Sequence, residues 1–149
     1  MAADAVYDAI KAFLEDQANV SGLADPVTGE VPPIRFENET FTPPEKKAWI
    51  SMSLSGVLYG QASIGAPTQA DNRWDEGGTL WLPVFVPVGS GSSRPRQLAK
   101  QIADLFRGRT MLSGNLEFLD AFIGEGGQAQ EEGNWFELPL GIEFGRVEA

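Results

Sequence analysis

The stretch from Gly77 to Gly108 constrains the fold most, because it predicts a strand, a turn and a helix in direct succession. Residues 79–88 are nearly all apolar, which predicts one strand that is covered on both faces. Residues 89–93 are glycine and serine alone, which predicts a flexible turn. The strand and the helix on either side of this turn are therefore expected to form the centre of the molecule.

The helix after the turn is predicted from its ends and from its apolar spacing. Pro95 suits a first helical turn, and Ser92 or Ser93 is expected to accept hydrogen bonds from the unpaired amides there. Gly108 stands where a left-handed residue commonly ends a helix. Between these ends, apolar residues recur on one helical face: Leu98, Ile102, Leu105 and Phe106.

The remaining sequence predicts a second amphipathic helix and several strands. Residues 4–17 carry apolar side chains at helical spacing. Residues 48–54 alternate, which predicts a strand with one solvent-facing side, and residues 136–144 alternate so regularly that one strand along the core is expected. Less regular strands are predicted over 34–36, 57–64 and 111–123, with a helix as the alternative for 111–123.

These elements predict one α+β domain over residues 1–149, with an antiparallel or mixed β-sheet packed on one face by the two amphipathic helices. A chain of this length buries roughly two thirds of its unfolded surface, which suffices for a single core. Flexible loops are expected near 19–33, 65–78 and 124–134, which are rich in glycine, proline or acidic residues. The last of these loops is expected to lack an apolar anchor.

The composition argues against several classes of function. The chain has no cysteine and no histidine, so disulfides, thiolate chemistry and the commonest general base and zinc ligand are absent. The formal charge of −10 disfavours nonspecific binding to nucleic acid or to an anionic membrane. The first residues do not resemble a signal peptide, and no apolar run is long enough to span a membrane, so a protein of the cytoplasm without a membrane partner is expected.

Candidate chemistry is limited to an acidic cluster and a glycine turn. Asp71, Asp75 and Glu76 could bind a divalent ion or supply paired carboxylates, but Arg73 occupies a ligand position of the calcium-loop spacing, and a solvated loop is favoured. The turn at 89–93 lacks the lysine and the third glycine of the phosphate-binding motifs. No catalytic residue, metal or cofactor is therefore expected.

The tryptophans allow a further ligand-binding interpretation. Trp74, Trp81 and Trp135 lie on or beside predicted strands and could stack a sugar or a base, as could Trp49. Burial within a sheet is favoured, because it is the commoner role of a tryptophan on a strand.

The basic residues are concentrated on the second helix. Residues 94–109 hold five of the eleven lysines and arginines but only one of the twenty-one acidic residues. Two interpretations remain open: a solvated helix face, or a ridge that contacts the acidic loops of a neighbouring copy. The candidate subunit interface pairs Arg94, Arg96, Lys100 and Arg107 with Asp71, Asp75, Glu76, Glu125, Glu131 and Glu132.

Three segments in this order resemble a known family. An N-terminal helix and the strand AWISMSL precede a strand that begins at Arg73-Trp74 and runs through GGTLWLPVFVPVGSG into a helix, and NWFELPLGIEF closes the chain. The pattern over residues 4–145 is similar to the tail terminator and minor tail proteins of long-tailed bacteriophages and related gene transfer particles. Its most distinctive parts are Gly77-Gly78, Phe85-Val86-Pro87 and Trp135-Phe136.

The resemblance implies a structural virion protein without a cofactor. Such a protein would form a homo-oligomeric ring, a hexamer, on the end of the tail tube, stop tube polymerisation and offer a surface for head attachment. Its partners would be other copies of itself, the tail tube protein and a head–tail connector protein, with DNA only as passing cargo and assembly in the host cytoplasm. The alternatives are another head–tail joining or tail tube protein, a small-ligand or carbohydrate-binding module, and a hydrolase.

Overall fold

The computed structural model describes residues 4–61, 74–129 and 134–148. Its helices are α1 (Asp4–Glu15), α2 (Gln17–Val20) and α3 (Ser93–Phe106). Its strands are β1 (Ile34–Arg35), β2 (Trp49–Ser51), β3 (Ser53–Gln61), β4 (Trp74–Trp81), β5 (Val84–Pro87), β6 (Thr110–Met111), β7 (Leu116–Ile123), β8 (Gly127–Gln128), β9 (Trp135–Leu138) and β10 (Leu140–Glu148).

The strands form two five-stranded sheets, so the predicted α+β class is confirmed. The first sheet has the order β1-β2-β5-β9-β8 and the second has the order β3-β4-β10-β7-β6. The pair β1–β2 is parallel and the other pairs are antiparallel. The strands thus divide between two sheets, where the sequence predicted one.

Three segments of the chain pass from one sheet to the other at a common corner. The predicted single strand over 79–88 is wrong, because β4 ends at Trp81 and β5 begins after Pro83. The predicted strand over 136–144 is wrong in the same way, since β9 and β10 are separated by Pro139. Proline has no amide hydrogen and cannot continue a ladder. The Leu82 amide donates to the Leu140 carbonyl at 2.8 Å, which joins two of the crossing segments.

The third crossing segment contains the predicted strand over 48–54. This strand ends at Ser51, and β3 begins at Ser53. The expectation of a solvent-facing side is wrong, because all three residues of β2 are buried. The Ser51 hydroxyl accepts hydrogen bonds from the Arg35 guanidinium at 3.2 and 3.3 Å. The hydroxyl on the side predicted to face solvent therefore has a partner within the protein.

The main core lies between the two amphipathic helices and the inner faces of both sheets. The Phe106 ring of α3 packs between the rings of Phe13 of α1 and Phe118 of β7, with ring centroids 5.4 and 4.9 Å away, respectively. This arrangement confirms that the apolar stripe of each predicted helix is buried. The other buried residues of α1 and α3 in this core are Val6, Ile10, Leu14, Leu98, Ala99 and Ile102.

The helix ends differ in part from the prediction. Ser92 precedes α3 but makes no side-chain cap, because its hydroxyl accepts instead from Arg96 Nε at 2.9 Å. Ser93 Oγ likewise accepts from the Gln97 side chain. Gly108 has a φ of 68°, as its predicted role as a helix stop requires. The predicted helix over 4–17 ends at Glu15, and α2 follows it.

In the C-terminal half, one predicted strand is confirmed and one predicted loop contains a strand. Residues 116–123 form β7, so the strand interpretation of 111–123 is confirmed. The loop that starts at Gly124 contains β8, which pairs with β9. Ala129 is buried beside Trp135, so the expectation that this loop lacks an apolar anchor is wrong. Similarly, residues 74–78 of the predicted loop 65–78 belong to β4.

Candidate subunit interface

The exposed face of α3 carries the predicted basic ridge, defined here as Arg96, Lys100 and Arg107. All three side chains are exposed. Lys100 Nζ pairs with the Asp104 carboxylate at 2.6 Å, one helical turn along. Arg107 follows the last residue of α3. The structure therefore leaves all three cations accessible, two of them on α3 and the third directly after its last residue.

Arg94 does not belong to this surface. Its side chain is 7% exposed, and it forms a two-pronged ion pair with Asp25, with Nε–Oδ1 at 2.9 Å and Nη2–Oδ2 at 2.5 Å. Burial raises the pKa of Asp25, but hydrogen bonds from Arg94 and from the Val27 amide outweigh it and hold that pKa below its usual value. Arg94 thus joins α3 to the loop before β1 within one chain, in place of its predicted position on the ridge.

A second polar contact holds the same loop on α3. Gln101 Oε1 accepts from the Ala24 amide at 2.8 Å, and Gln101 Nε2 donates to the Ala24 carbonyl at 3.1 Å. The side chain of Val27, at the outer end of this loop, is 68% exposed. Part of the predicted loop 19–33 is therefore anchored at two points.

The predicted acidic surface is only partly present in the described chain. Glu76 is 3% exposed and lies 3.4 Å from Arg146 on the neighbouring strand β10. Asp75 is half-buried in β4, and Glu125 is exposed. Asp71, Glu131 and Glu132 lie outside the described residues. Within the described ranges, no group of three acidic side chains could hold a metal ion.

The aromatic residues form a second cluster on the face of the first sheet away from the helices. The Trp49 ring stacks on the Phe85 ring, with 4.0 Å between the ring centroids and 5° between the ring planes. The Trp135 ring meets the Trp49 ring edge-on, with 5.8 Å between the centroids. Arg35 lies over the Trp49 ring at 4.9 Å. Trp49 and Trp135 are buried, which agrees with the structural interpretation. Trp81 is half-buried, and the side chain of Trp74 lies outside the described part.

An open apolar groove of about 500 Å³ lies between α3 and β7. Ala99 and Ala103 of α3 form part of its wall, and Ile142 of β10 contributes to its floor. Lys100 and Arg107 of the basic ridge also line it. Three large apolar side chains of β7 at this groove are exposed: Leu119 (55%), Phe122 (41%) and Ile123 (41%).

Comparison with known proteins identifies the family. The sequence matches the family described as "Phage tail terminator protein" over residues 5–144, which is nearly the whole chain. The chain belongs to the phage tail terminator family. The resemblance stated above is thereby confirmed, and the family is structural rather than enzymatic.

A similar fold occurs among solved structures. One solved structure is 22% identical to this chain, with a TM-score of 0.66, and the match covers 100% of this chain and 97% of the other. At that identity the likeness shows the fold alone. No curated protein matches this chain. Among the described helices of this chain, none is long and apolar enough to cross a membrane.

The groove between α3 and β7 was not predicted from the sequence. The signal that could have found it is the apolar run Ala121-Phe122-Ile123, which places large apolar side chains on both faces of the same strand. In a strand in the middle of a sheet that is covered on both faces, such a run is accounted for by burial. In this structure the run lies near the border of a sheet, and its side chains remain accessible.

Proposed function

We propose that this phage tail structural protein forms a hexameric ring on the end of the tail tube, stops further tube subunits from adding, and provides the surface for head attachment. The observation that carries the proposal is the family match over residues 5–144. A terminator needs one surface that binds the last ring of the tube. Its opposite surface must differ from the end of the tube, so that no further tube subunit binds there.

The charge distribution supports assembly of copies into a ring. The basic ridge on α3 lies on a chain whose remaining residues are strongly acidic. Opposite charges on different parts of one molecule favour head-to-tail contacts, and such contacts close into rings when the rotation between neighbours allows it. The net charge of −10 also suits a ring through which DNA passes, because an acidic lumen does not retain phosphates.

The buried contacts support a subunit that keeps its shape on assembly. The corner between the sheets and the Arg94–Asp25 pair fix the ends of several elements. Preformed surfaces lose less conformational entropy when they bind. The partners in this proposal are other copies, the tail tube protein and a head–tail connector protein. Assembly takes place in the host cytoplasm, and the protein remains in the virion.

Addition of the purified protein to polymerising tail tube protein tests the proposal. Tube growth is expected to stop at protein concentrations far below that of the tube subunit, because only tube ends are bound. Averaged images of the tube ends are expected to show a six-fold ring. Continued growth with unmodified ends would contradict the proposal. Binding along the tube wall would point to a different tail role.

A further inference from the structure

An open cavity of about 660 Å³ lies at the end of the first sheet that is opposite the corner. At this end β5 stops at Pro87, which pairs with Trp135 at the start of β9. The Val88 amide donates to the Asn134 carbonyl at 3.1 Å, so the two strands remain joined up to the rim of the cavity. Residues of the loop between β1 and β2 close the other side. The volume lies within the range of ligand-binding clefts.

The aromatic cluster forms an apolar wall of this cavity. Phe41 and Trp135 line it, and both rings contact the Trp49 ring, with 5.3 and 5.8 Å between the ring centroids. Val88 adds an apolar side chain at the rim that is 55% exposed. Aromatic-lined clefts of this kind bind extended proline-rich segments, whose preformed polyproline conformation has little entropy to lose on binding.

One polar atom of the aromatic cluster lacks a partner within the described ranges. Trp49 is fully buried, and its Nε1–H makes no hydrogen bond there. Trp81 of the second sheet differs, because its Nε1–H donates to the Ser55 hydroxyl at 3.4 Å. A buried donor without an acceptor costs about 1–3 kcal/mol, and the N–H of a buried tryptophan usually has one. A bound molecule that brings a hydrogen-bond acceptor would remove this cost.

The side chains that line the cavity also carry more donors than acceptors. Lys46 contributes an ammonium group, and Arg35 contributes a guanidinium that also donates to Ser51. The side-chain acceptors of the described lining are the Glu45 carboxylate and the Asn134 amide oxygen. A sugar hydroxyl donates as well as accepts, so it would need further acceptors here. A proline residue offers a carbonyl oxygen and no N–H, which matches this lining.

We infer that this cavity binds an extended, proline-rich segment of a partner protein. Its proline rings pack on Phe41 and Trp135, and one of its carbonyl oxygens accepts a hydrogen bond from Trp49 Nε1 after a small side-chain shift. Lys46 and Glu45 give the lining charges of both signs, so the segment needs no net charge. The inference goes beyond the proposed function, because neither ring formation nor the end of tube growth requires this contact.

Titration of the intact chain with a proline decamer tests the inference, and a glycine–serine decamer is the control peptide. The indole N–H resonances of the isotope-labelled chain are followed by NMR and are assigned with Trp49→Phe and Trp81→Phe. The Trp49 resonance is expected to move downfield and to saturate, because its N–H gains an acceptor. The Trp81 resonance is expected to stay in place, since its N–H already has one. No saturable shift of Trp49, or equal shifts with both peptides, would overturn the inference.

A substitution at the rim locates the peptide. Val88 lines the cavity, whereas Val27, which is 68% exposed, lies outside it. Val88→Glu is expected to weaken binding of the proline decamer about 10-fold, because its carboxylate would lose water against apolar rings. Val27→Glu is expected to leave binding unchanged, and circular dichroism checks the fold of both variants. Unchanged affinity of a folded Val88→Glu protein would overturn the inference.

The inference and the proposed function fail separately. The titration uses the free chain, so a negative result would leave the terminator function intact. Normal tails from a genome that lacks the chain would overturn the terminator function and leave a measured peptide contact in place.

Discussion

Arg94 of α3 and Asp25 of the loop before β1 form a buried ion pair across 69 positions of the chain. Removing one partner of such a pair leaves the other charge buried, which costs about 3–5 kcal/mol. Arg94→Ala is therefore expected to lower the free energy of unfolding by about that amount in urea titrations. The control Arg96→Ala, on the exposed face, is expected to change it by less than about 0.5 kcal/mol. Equal effects of the two substitutions would contradict the assigned burial.

The same pair predicts a pH dependence. The hydrogen bonds from Arg94 and from the Val27 amide hold the pKa of Asp25 below its usual value in the folded protein. A lowered carboxyl pKa contributes stability that is present above the unfolded pKa and is lost as the pH falls through the folded pKa. The stability difference between the wild type and Asp25→Asn is thus expected to be largest near neutral pH and to shrink below about pH 4. A difference that stays constant down to pH 2 would show that the charge of Asp25 contributes nothing.

Two adjacent glycines of β4 provide a matched pair of substitutions. A Cβ on Gly78 would overlap the carbonyl oxygen of Ser55 on β3, and would lie 2.9 Å from the Phe144 ring. A Cβ on Gly77 would lie 3.7 Å from its nearest neighbour, which is an ordinary contact. Gly78→Ala is expected to cost about 1–3 kcal/mol, and Gly77→Ala much less, by thermal or urea unfolding. The opposite order would contradict the register of β3 on β4.

The ring contacts of Phe106 in the main core predict a large loss of stability on truncation. Phe106 is 1% exposed and contacts rings from both α1 and β7. Phe106→Ala is expected to lower the free energy of unfolding by about 3–5 kcal/mol, and Phe106→Leu by less, because the cavity is smaller. A loss below about 1 kcal/mol for Phe106→Ala would place this side chain outside the core.

The basic ridge predicts a change in assembly without a change in folding. Arg96→Glu, Lys100→Glu and Arg107→Glu together reverse the charge of an exposed surface, so each is expected to alter stability by no more than about 0.5 kcal/mol. Assembly is expected to be lost, as measured by the fraction of joined particles in electron micrographs. Particles that assemble normally with the triple variant would leave the ridge as a solvated helix face.

Local spacing predicted the helices well because each helix buries one stripe of its own residues. Leu98, Ile102 and Phe106 were sufficient to place α3 against the core, and Gly108 marked its end. The strands were predicted less well, since the apolar pattern continues through Pro83 and Pro139 while the hydrogen-bond ladder does not. The point at which a segment passes from one sheet to the other depends on the strands beside it. The apolar pattern of one segment does not carry that information.

The candidate surface could be predicted only in part for a similar reason. Charge and spacing placed Arg96, Lys100 and Arg107 together, but they placed Arg94 there too. Its partner Asp25 lies in a proline- and glycine-rich loop that carries no periodic signal. The groove is lined by residues of α3, β7 and β10, which come together only in the folded chain.

Electron microscopy of particles made without this protein tests the central claim most directly. If the protein terminates the tail tube, tails lacking it lose their stop and are expected to be overlong and headless beside filled heads. Supplying the intact chain from a separate copy should restore uniform length and head attachment. Intact particles with tails of normal length in its absence would contradict the account.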